Sequence, residues 1–284
     1  MGYLATIINK IGQMFTMGVG IHLVFSLGGI FFLGFPTVVS VAAYTLAICE
    51  KQGMSPWLAL IAALIAGLIV SLLFAYLFIK VSADSFAVLG LASVIAFNAL
   101  ALSLDTLTNG VLGISGIKRP ELFDSLPALA IAAILVALLM IIFETLLLKT
   151  TFGRALRALK ENKTSLAALG VSPNKISTII IVIAGIIFSI AGILMIWQVQ
   201  FLDPGFGGLH LLVEVLTIGI LALRPQIRWV ALGTLFVVFV PEALRFLSLP
   251  STILGHLRIL LYCTFLIVLI LKLQDKLHIP HRSI

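Results

Sequence analysis

The side chains of this sequence that could do chemistry are few, and most sit where water is scarce. Glu214 lies inside the apolar stretch Leu211–Leu223, and Glu144 and Glu242 stand toward the ends of two other such stretches. A carboxylate in hydrocarbon costs about 2.5–3.5 kcal/mol, so each must face other helices or a wet cavity. Glu214 could contact a solute, relay protons, or hydrogen-bond a neighbouring helix. Glu242 follows Pro241 and precedes Arg245 by three residues, a spacing that suits a local ion pair. Asn98 suits an interhelical hydrogen bond. His22, His210, His256, His278 and His281 are scattered, and none has a second ligand at helical spacing. Cys49 and Cys263 lie within apolar stretches as small packing residues, with no disulfide expected and no cysteine pair to hold a metal. The sequence contains neither Gly-x-x-x-x-Gly-Lys-Ser/Thr nor His-Glu-x-x-His. The expectation is a chain with no catalytic residues and no metal site, and with no cofactor of its own.

Composition says what must position these groups. Of 284 residues, 61% are hydrophobic and 10% charged, and mean hydropathy is +1.24. Too little polar surface remains to cover a water-soluble domain. The sequence lacks the alternating ten-residue segments of an outer-membrane barrel. The expected fold is all-α: a polytopic transmembrane helix bundle of about 8–10 spans, in a single domain covering residues 1–284. The net charge of +7 fits Lys and Arg held in cytoplasmic loops, and no nucleic-acid partner is expected.

A span needs about 20 apolar residues. Candidates are about Ile11–Phe31, Phe35–Cys49, Trp57–Ile79, Phe86–Leu104, Leu126–Leu147, Ile176–Trp197, Leu211–Leu223, Trp229–Phe246 and Ile259–Leu273. The second and seventh are short. Gly28-Gly29 and Gly34-Phe35-Pro36 would break a continuous helix, so Leu27–Thr45 reads either as a discontinuous segment near a pathway or as a helix with a glycine-rich packing face.

The only long polar interval, about residues 148–176, runs through Thr151–Pro173. Lys149, Arg154, Arg157, Lys160, Lys163 and Lys175 crowd it against one acid, Glu161. Phe152, Leu156 and Leu159 recur at helical spacing, so a first short helix carries an apolar stripe. Asn162 or Thr164 can cap a second, which Gly170 would end. Ser172-Pro173 then starts the next span. The interval reads either as a docking element for a cytoplasmic partner or as a charged loop that only fixes topology. Placing it inside also puts Lys80, Arg224, Arg228, Lys272, Lys276 and Arg282 inside. That makes twelve of the eighteen basic residues, and the C-terminus is then cytoplasmic. Outside lies Thr108–Ile117, where Gly110, Gly113 and Gly116 allow tight turns.

Three stretches resemble a known family. Ser85-Phe-Ala-Val-Leu-Gly-Leu91 is similar to its Tyr-Phe-Ala-Leu-x-Thr-Leu. Thr108-Asn-Gly-Val-Leu-Gly-Ile-Ser-Gly-Ile117 is similar to its Thr-Gly-Gly-x-x-Gly-Leu-x-Gly-Ile. Thr151-Phe-Gly-Arg-Ala-Leu-Arg-Ala-Leu-Lys-Glu-Asn162, with Ala167-Ala-Leu-Gly170, resembles its cytoplasmic coupling loop. The family is that of the membrane permeases of ABC importers for branched-chain amino acids, the LivM/LivH type, and LivM more closely. Departures are Lys163 where an acid is common, Asn109 for a glycine, and Leu223-Arg-Pro-Gln-Ile-Arg228 where the family has a Gly-Pro turn.

The resemblance implies a permease subunit of the bacterial inner membrane that moves branched-chain or other small amino acids. Its partners would be a second permease, two cytoplasmic ATPases that bind ATP and Mg, and an external solute-binding protein. It implies ATPase coupling through Gly153, Arg154, Leu156, Arg157, Glu161, Ala167, Ala168 and Gly170. Thr108, Gly110, Gly113, Gly116 and Glu214 are the candidates for the external loop or pathway. The competing readings are a proton-coupled secondary transporter that titrates Glu214 and a membrane scaffold that moves no solute.

Overall fold

The computed structural model describes residues 2–245, 257, 259–268 and 271. The expected positions of Phe246, Arg258, Lys272, Lys276, Arg282 and the C-terminus lie outside those residues. The fold is an all-α helix bundle with one minimal two-stranded sheet. Among the described residues every expected apolar stretch carries a helix. Four helices among the described residues are long and apolar enough to cross a membrane: α3 (Pro56–Lys80), α4 (Ala83–Ser103), α6 (Leu126–Lys149) and α9 (Pro173–Val199). This makes the chain a multi-pass membrane protein.

Three of these begin at caps legible in the sequence. Ser55, Ser82 and Ser125 accept from the backbone N–H groups of Leu58, Ser85 and Ala128, and Pro56 opens α3 in the first turn. In its most apolar window α9 is 67% buried, against 22% for α4 and 17% for α6, so α9 runs through the middle and the other two face outward.

The contact of α3 with α9 is reciprocal. A Cβ on Gly67 of α3 would collide with Ser189 Oγ, and one on Gly185 of α9 would collide with Ser71 Oγ. Each helix thus offers a gap to the other's serine, and each hydroxyl donates to its own helix, Ser71 to Gly67 O and Ser189 to Gly185 O. Small residues set the closest approach of packed helices where no hydrophobic drive separates protein from lipid.

The first helix differs from expectation. The stretch Ile11–Phe31 predicts a later start, but α1 runs Gly2–Ile21 and continues as a π-helical turn over His22–Leu27. Asn9 and Gln13 depress the hydropathy at its start. Both are nonetheless buried, and Gln13 Nε2 donates to Leu194 O and Gln198 Oε1. Phe31 lies within the break between Leu27 and Phe35. Of the two readings of Leu27–Thr45 the discontinuous one holds: the helix stops after Leu27, and α2 (Phe35–Lys51) restarts with Pro36 in its first turn. The other short helix is α10 (Leu209–Leu221), followed by α11 (Arg228–Arg245) and a helix over Ile259–Val268. At 13 residues α10 spans about 20 Å, less than a hydrocarbon core of about 30 Å.

Side-chain contacts sort the helix ends into two groups. At the end that carries the polar interval Thr151–Pro173, the elbow, Lys160 meets Ser26, Lys163 lies over Phe78, and His22 meets Arg224. At the opposite, loop end Lys51 meets Asn109, Lys118 meets Glu50, and Arg119 meets Gln198. Tyr3 joins this end by donating to Glu242 Oε2 at 2.6 Å. The Glu242–Arg245 pair rests on a side chain outside those described.

Candidate functional site

The elbow is built from the end of α6, then α7 (Thr151–Glu161) and α8 (Lys163–Ala168). Thr150 caps α7 by accepting from Gly153 N at 3.2 Å. The apolar stripe turns inward: Leu156 and Leu159 are buried and Phe152 is half-buried. Gly153 sits where the elbow folds back on α6. A Cβ there would collide with Leu147 O and lie 2.6 Å from Leu148 Cα, so only glycine allows this approach. Arg157 donates to Leu148 O at 2.8 Å, taking up one of the carbonyls that α6 leaves free at its end.

Beneath α7 lies the break in α1. Lys160 Nζ donates to Ser26 O at 2.7 Å, in the π-helical turn. A Cβ on Gly28 would touch Leu156 Cδ1 at 3.3 Å. Burial pushes the Lys160 ammonium below its ordinary pKa, and Glu161 beside it opposes the shift. The break itself is wrapped in aromatic rings. Phe32 lies 5.0 Å from Phe74 and 5.7 Å from Phe86, and Phe35 stacks 4.9 Å from Phe188. Gly34 and Gly90 meet backbone to backbone, since a Cβ on Gly90 would lie 2.6 Å from Gly34 N. The elbow therefore presses on the discontinuous element itself.

The outward face of the elbow is different. Asn162 Oδ1 accepts from Thr164 N at 2.9 Å and Ser165 N at 3.0 Å, which settles the cap of α8. Gly170 ends that helix at φ +78°. Arg154, Arg157, Glu161, Ala167, Ala168 and Gly170 are exposed, and Leu169 is 79% exposed. The coupling candidates thus divide: Gly153 and Leu156, with Arg157 through its bond to Leu148 O, bind the elbow to the bundle, and Arg154, Glu161, Ala167, Ala168 and Gly170 face outward. Lys163, the departure from the family pattern, holds α8 to α3 with Nζ 5.3 Å from the Phe78 ring centroid.

At the loop end, α4 is followed by the single turn α5 (Asp105–Thr108), where Thr108 is buried and its hydroxyl donates to Ala101 O at 2.6 Å. Asn109 adopts φ +59°, where glycine is usual and asparagine is tolerated. Its amide oxygen accepts from Lys51 Nζ at 2.8 Å, and its Nδ2 donates to Gly113 O at 3.1 Å. After Gly113, β1 (Ile114–Ser115) pairs antiparallel with β2 (Phe201–Leu202). Arg119 donates to Trp197 O, Gln198 O and Asp124 O, closing the end of α9. Gly116 lines a cavity of about 390 Å³ with Lys118, Arg119, Asp124 and Gln200. Gly110 is buried behind a tip where Val111 and Leu112 are 80% and 82% exposed. Replacing Gly113 (φ +68°) by alanine would drive a Cβ into Leu202 O. That variant should lose about 1–2 kcal/mol or more, read as a lower unfolding temperature, whereas Asn109→Gly should be nearly neutral.

Glu214 is buried on α10, which packs against α11, α1, α2 and the π-helical turn. The connection that leads into α10 is tied to α2, where Ser40 donates to Phe206 O at 3.0 Å and Tyr44 donates to Asp203 O at 3.3 Å. Asn98 is half-buried beside Gly208 at the start of α10. Sequence reasoning missed one constellation. His22 Nδ1 lies 2.7 Å from Glu144 Oε1, and Nε2 lies 3.0 Å from Arg224 O, with both side chains fully buried. The available signal was Glu144 itself, an intramembrane acid that requires a partner.

Comparison with known proteins gives concordant matches. The family described as the branched-chain amino acid transport system permease component matches residues 3–270. The chain is 25% identical, over 216 residues, to the high-affinity branched-chain amino acid transport system permease protein LivM of Escherichia coli K12. The same protein of Salmonella typhimurium LT2 gives the same identity. Each match covers 66% of this chain and 51% of the relative, so the chain spans about half the length of the curated relatives it matches. No solved structure matches.

Proposed function

Because the chain belongs to the family of branched-chain amino acid transport permeases, we propose that it is the membrane-spanning permease subunit of an ATP-driven importer. Its cargo is branched-chain or other small amino acids, delivered by an external solute-binding protein. A second permease subunit completes the pathway, and two cytoplasmic ATPases bind ATP and Mg and supply the work. In this reading the elbow end is cytoplasmic and the loop end external, as the excess of basic residues at the elbow end favours.

The observation that carries the reading is the two-sided elbow. One side is fixed to α6 by Gly153 and to the break in α1 by Leu156 and Lys160. The other side offers Arg154, Ala167, Ala168 and Leu169 to a partner. A push on the outward side would travel through short, rigid links to the discontinuous segment.

Copurification tests this directly. The chain should bring down ATPase subunits, and Arg154→Glu with Ala168→Glu should release them while the exposed positions leave the fold intact. Retention of the ATPases by that double variant would refute the elbow as the docking element. Uptake that collapses with a protonophore and needs no ATPase would favour secondary transport instead.

A further inference from the structure

The buried His22–Glu144 pair joins three elements that the sequence separates widely. His22 lies in the π-helical turn at the end of α1. Glu144 lies one turn and a half before the end of α6, which leads through Thr150 into the elbow. Arg224 lies in the connection from α10 to α11, and its carbonyl takes the second ring nitrogen. Both nitrogens of His22 therefore face acceptors, Glu144 Oε1 and Arg224 O. Two protons satisfy that geometry. Either the imidazolium donates both bonds to a carboxylate and a carbonyl, or a protonated Glu144 donates to Nδ1 while Nε2–H donates to Arg224. The two forms differ only in which side of one hydrogen bond holds the proton, and in both the pair is neutral overall. Such a unit stays intact in hydrocarbon only while both partners are in place.

Its surroundings identify what it can hold. The same π-helical turn gives Ser26 O to Lys160 and packs Gly28 against Leu156, both on the elbow. Arg224 stacks on Trp229 at 4.4 Å, which fixes the turn whose carbonyl His22 reaches. Glu144 Oε2 is buried with no hydrogen-bond partner among the described residues. The closed arrangement thus leaves one acceptor unused, as expected of a contact that exchanges partners between two states rather than one optimised for a single state.

We propose that His22 and Glu144 are positioning residues for coupling: a latch that holds the end of α6 and the α10–α11 turn on the π-helical turn of α1, and that opens when the elbow is driven. This rests on the proposed function, because the driving motion is that of the ATPases. The contacts of the pair itself are those with each other and with Arg224 O.

The test compares bond geometry with mere packing. Glu144→Gln can keep both bonds, donating to Nδ1 of a neutral His22 that still donates to Arg224. His22→Leu with Glu144→Leu fills the space and keeps neither bond. In proteoliposomes holding the whole complex, uptake of radiolabelled leucine, isoleucine and valine would be measured per ATP hydrolysed. The double leucine variant should lose about ten-fold in that ratio, within the usual range of coupling between linked sites, and Glu144→Gln should retain it. A double leucine variant that keeps the ratio of the unaltered protein would overturn the latch.

A second measurement needs no ATPase and no stable leucine variant. Spin labels at exposed positions 149 and 226, in the purified chain with Cys49 and Cys263 replaced, should give one narrow distance distribution. The distribution should broaden and lengthen in His22→Phe, whose ring can hydrogen-bond neither Glu144 Oε1 nor Arg224 O. An unchanged distribution would also overturn the latch. If no ATPase associates with the chain, the proposed function fails, and the spin-label result decides the latch by itself.

Discussion

A leucine placed at Gly153 should abolish coupled uptake, lowering it about ten-fold or more, because the elbow can no longer lie on α6. The first carbon of any side chain there would meet backbone atoms, Leu147 O and, at 2.6 Å, Leu148 Cα, so no side-chain rearrangement can relieve the clash. Forcing atoms into such a contact costs about 1–3 kcal/mol. The cheapest relief is to swing α7 away, which also pulls Leu156 and Lys160 off the break in α1. ATP hydrolysis should survive, since the outward face is untouched. The control is Gly170→Ala. That residue also has positive φ, but open space surrounds it, so the change strains only the end of α8. Uptake and hydrolysis measured together in proteoliposomes check both variants. Uptake unchanged in Gly153→Leu would show that the tight crossing is not needed.

The second large effect is on stability. Glu144→Leu alone removes one partner of a fully buried pair and leaves His22 Nδ1 facing an apolar side chain. Breaking a buried pair this way costs about 3–5 kcal/mol. Replacing both residues by leucine should cost far less, because no polar side chain is then stranded, and substitution of a whole buried pair by apolar residues is often neutral. A double-mutant cycle on detergent-solubilised protein therefore predicts strong non-additivity. Additive losses would mean that the two side chains do not depend on each other. The expected ordering of unfolding temperatures is unaltered protein and double variant above either single variant.

The sequence carries these features unequally. Long apolar stretches bounded by Ser, Pro and Lys identify α3, α6 and α9 to within a few residues, because hydropathy over about 20 positions averages out local irregularity. The break between Leu27 and Phe35 is readable from Gly28, Gly29, Gly34 and Pro36. The elbow is readable too: its stripe, its Asn162 cap and its Gly170 stop are local properties of adjacent residues. What is not local is lost. His22 and Glu144 are 122 positions apart, and no spacing rule connects them. Asn9 stands just before the expected span Ile11–Phe31 and Gln13 just inside it, and both lie buried in a longer helix because Gln198 and Leu194 of α9 receive Gln13. The stripe of α7 shows that Leu156 must be covered. It does not show that the bundle covers it, and so it cannot separate Gly153 and Leu156 from the outward-facing Arg154 and Ala168.

The toothed contact between α3 and α9 limits how the bundle can move. With Ser71 seated at Gly185 and Ser189 seated at Gly67, a slide along the common axis would drive each hydroxyl into the neighbouring turn. Two seats a turn apart make α3 and α9 one strut, so relative motion within the bundle falls to the less interlocked helices around it.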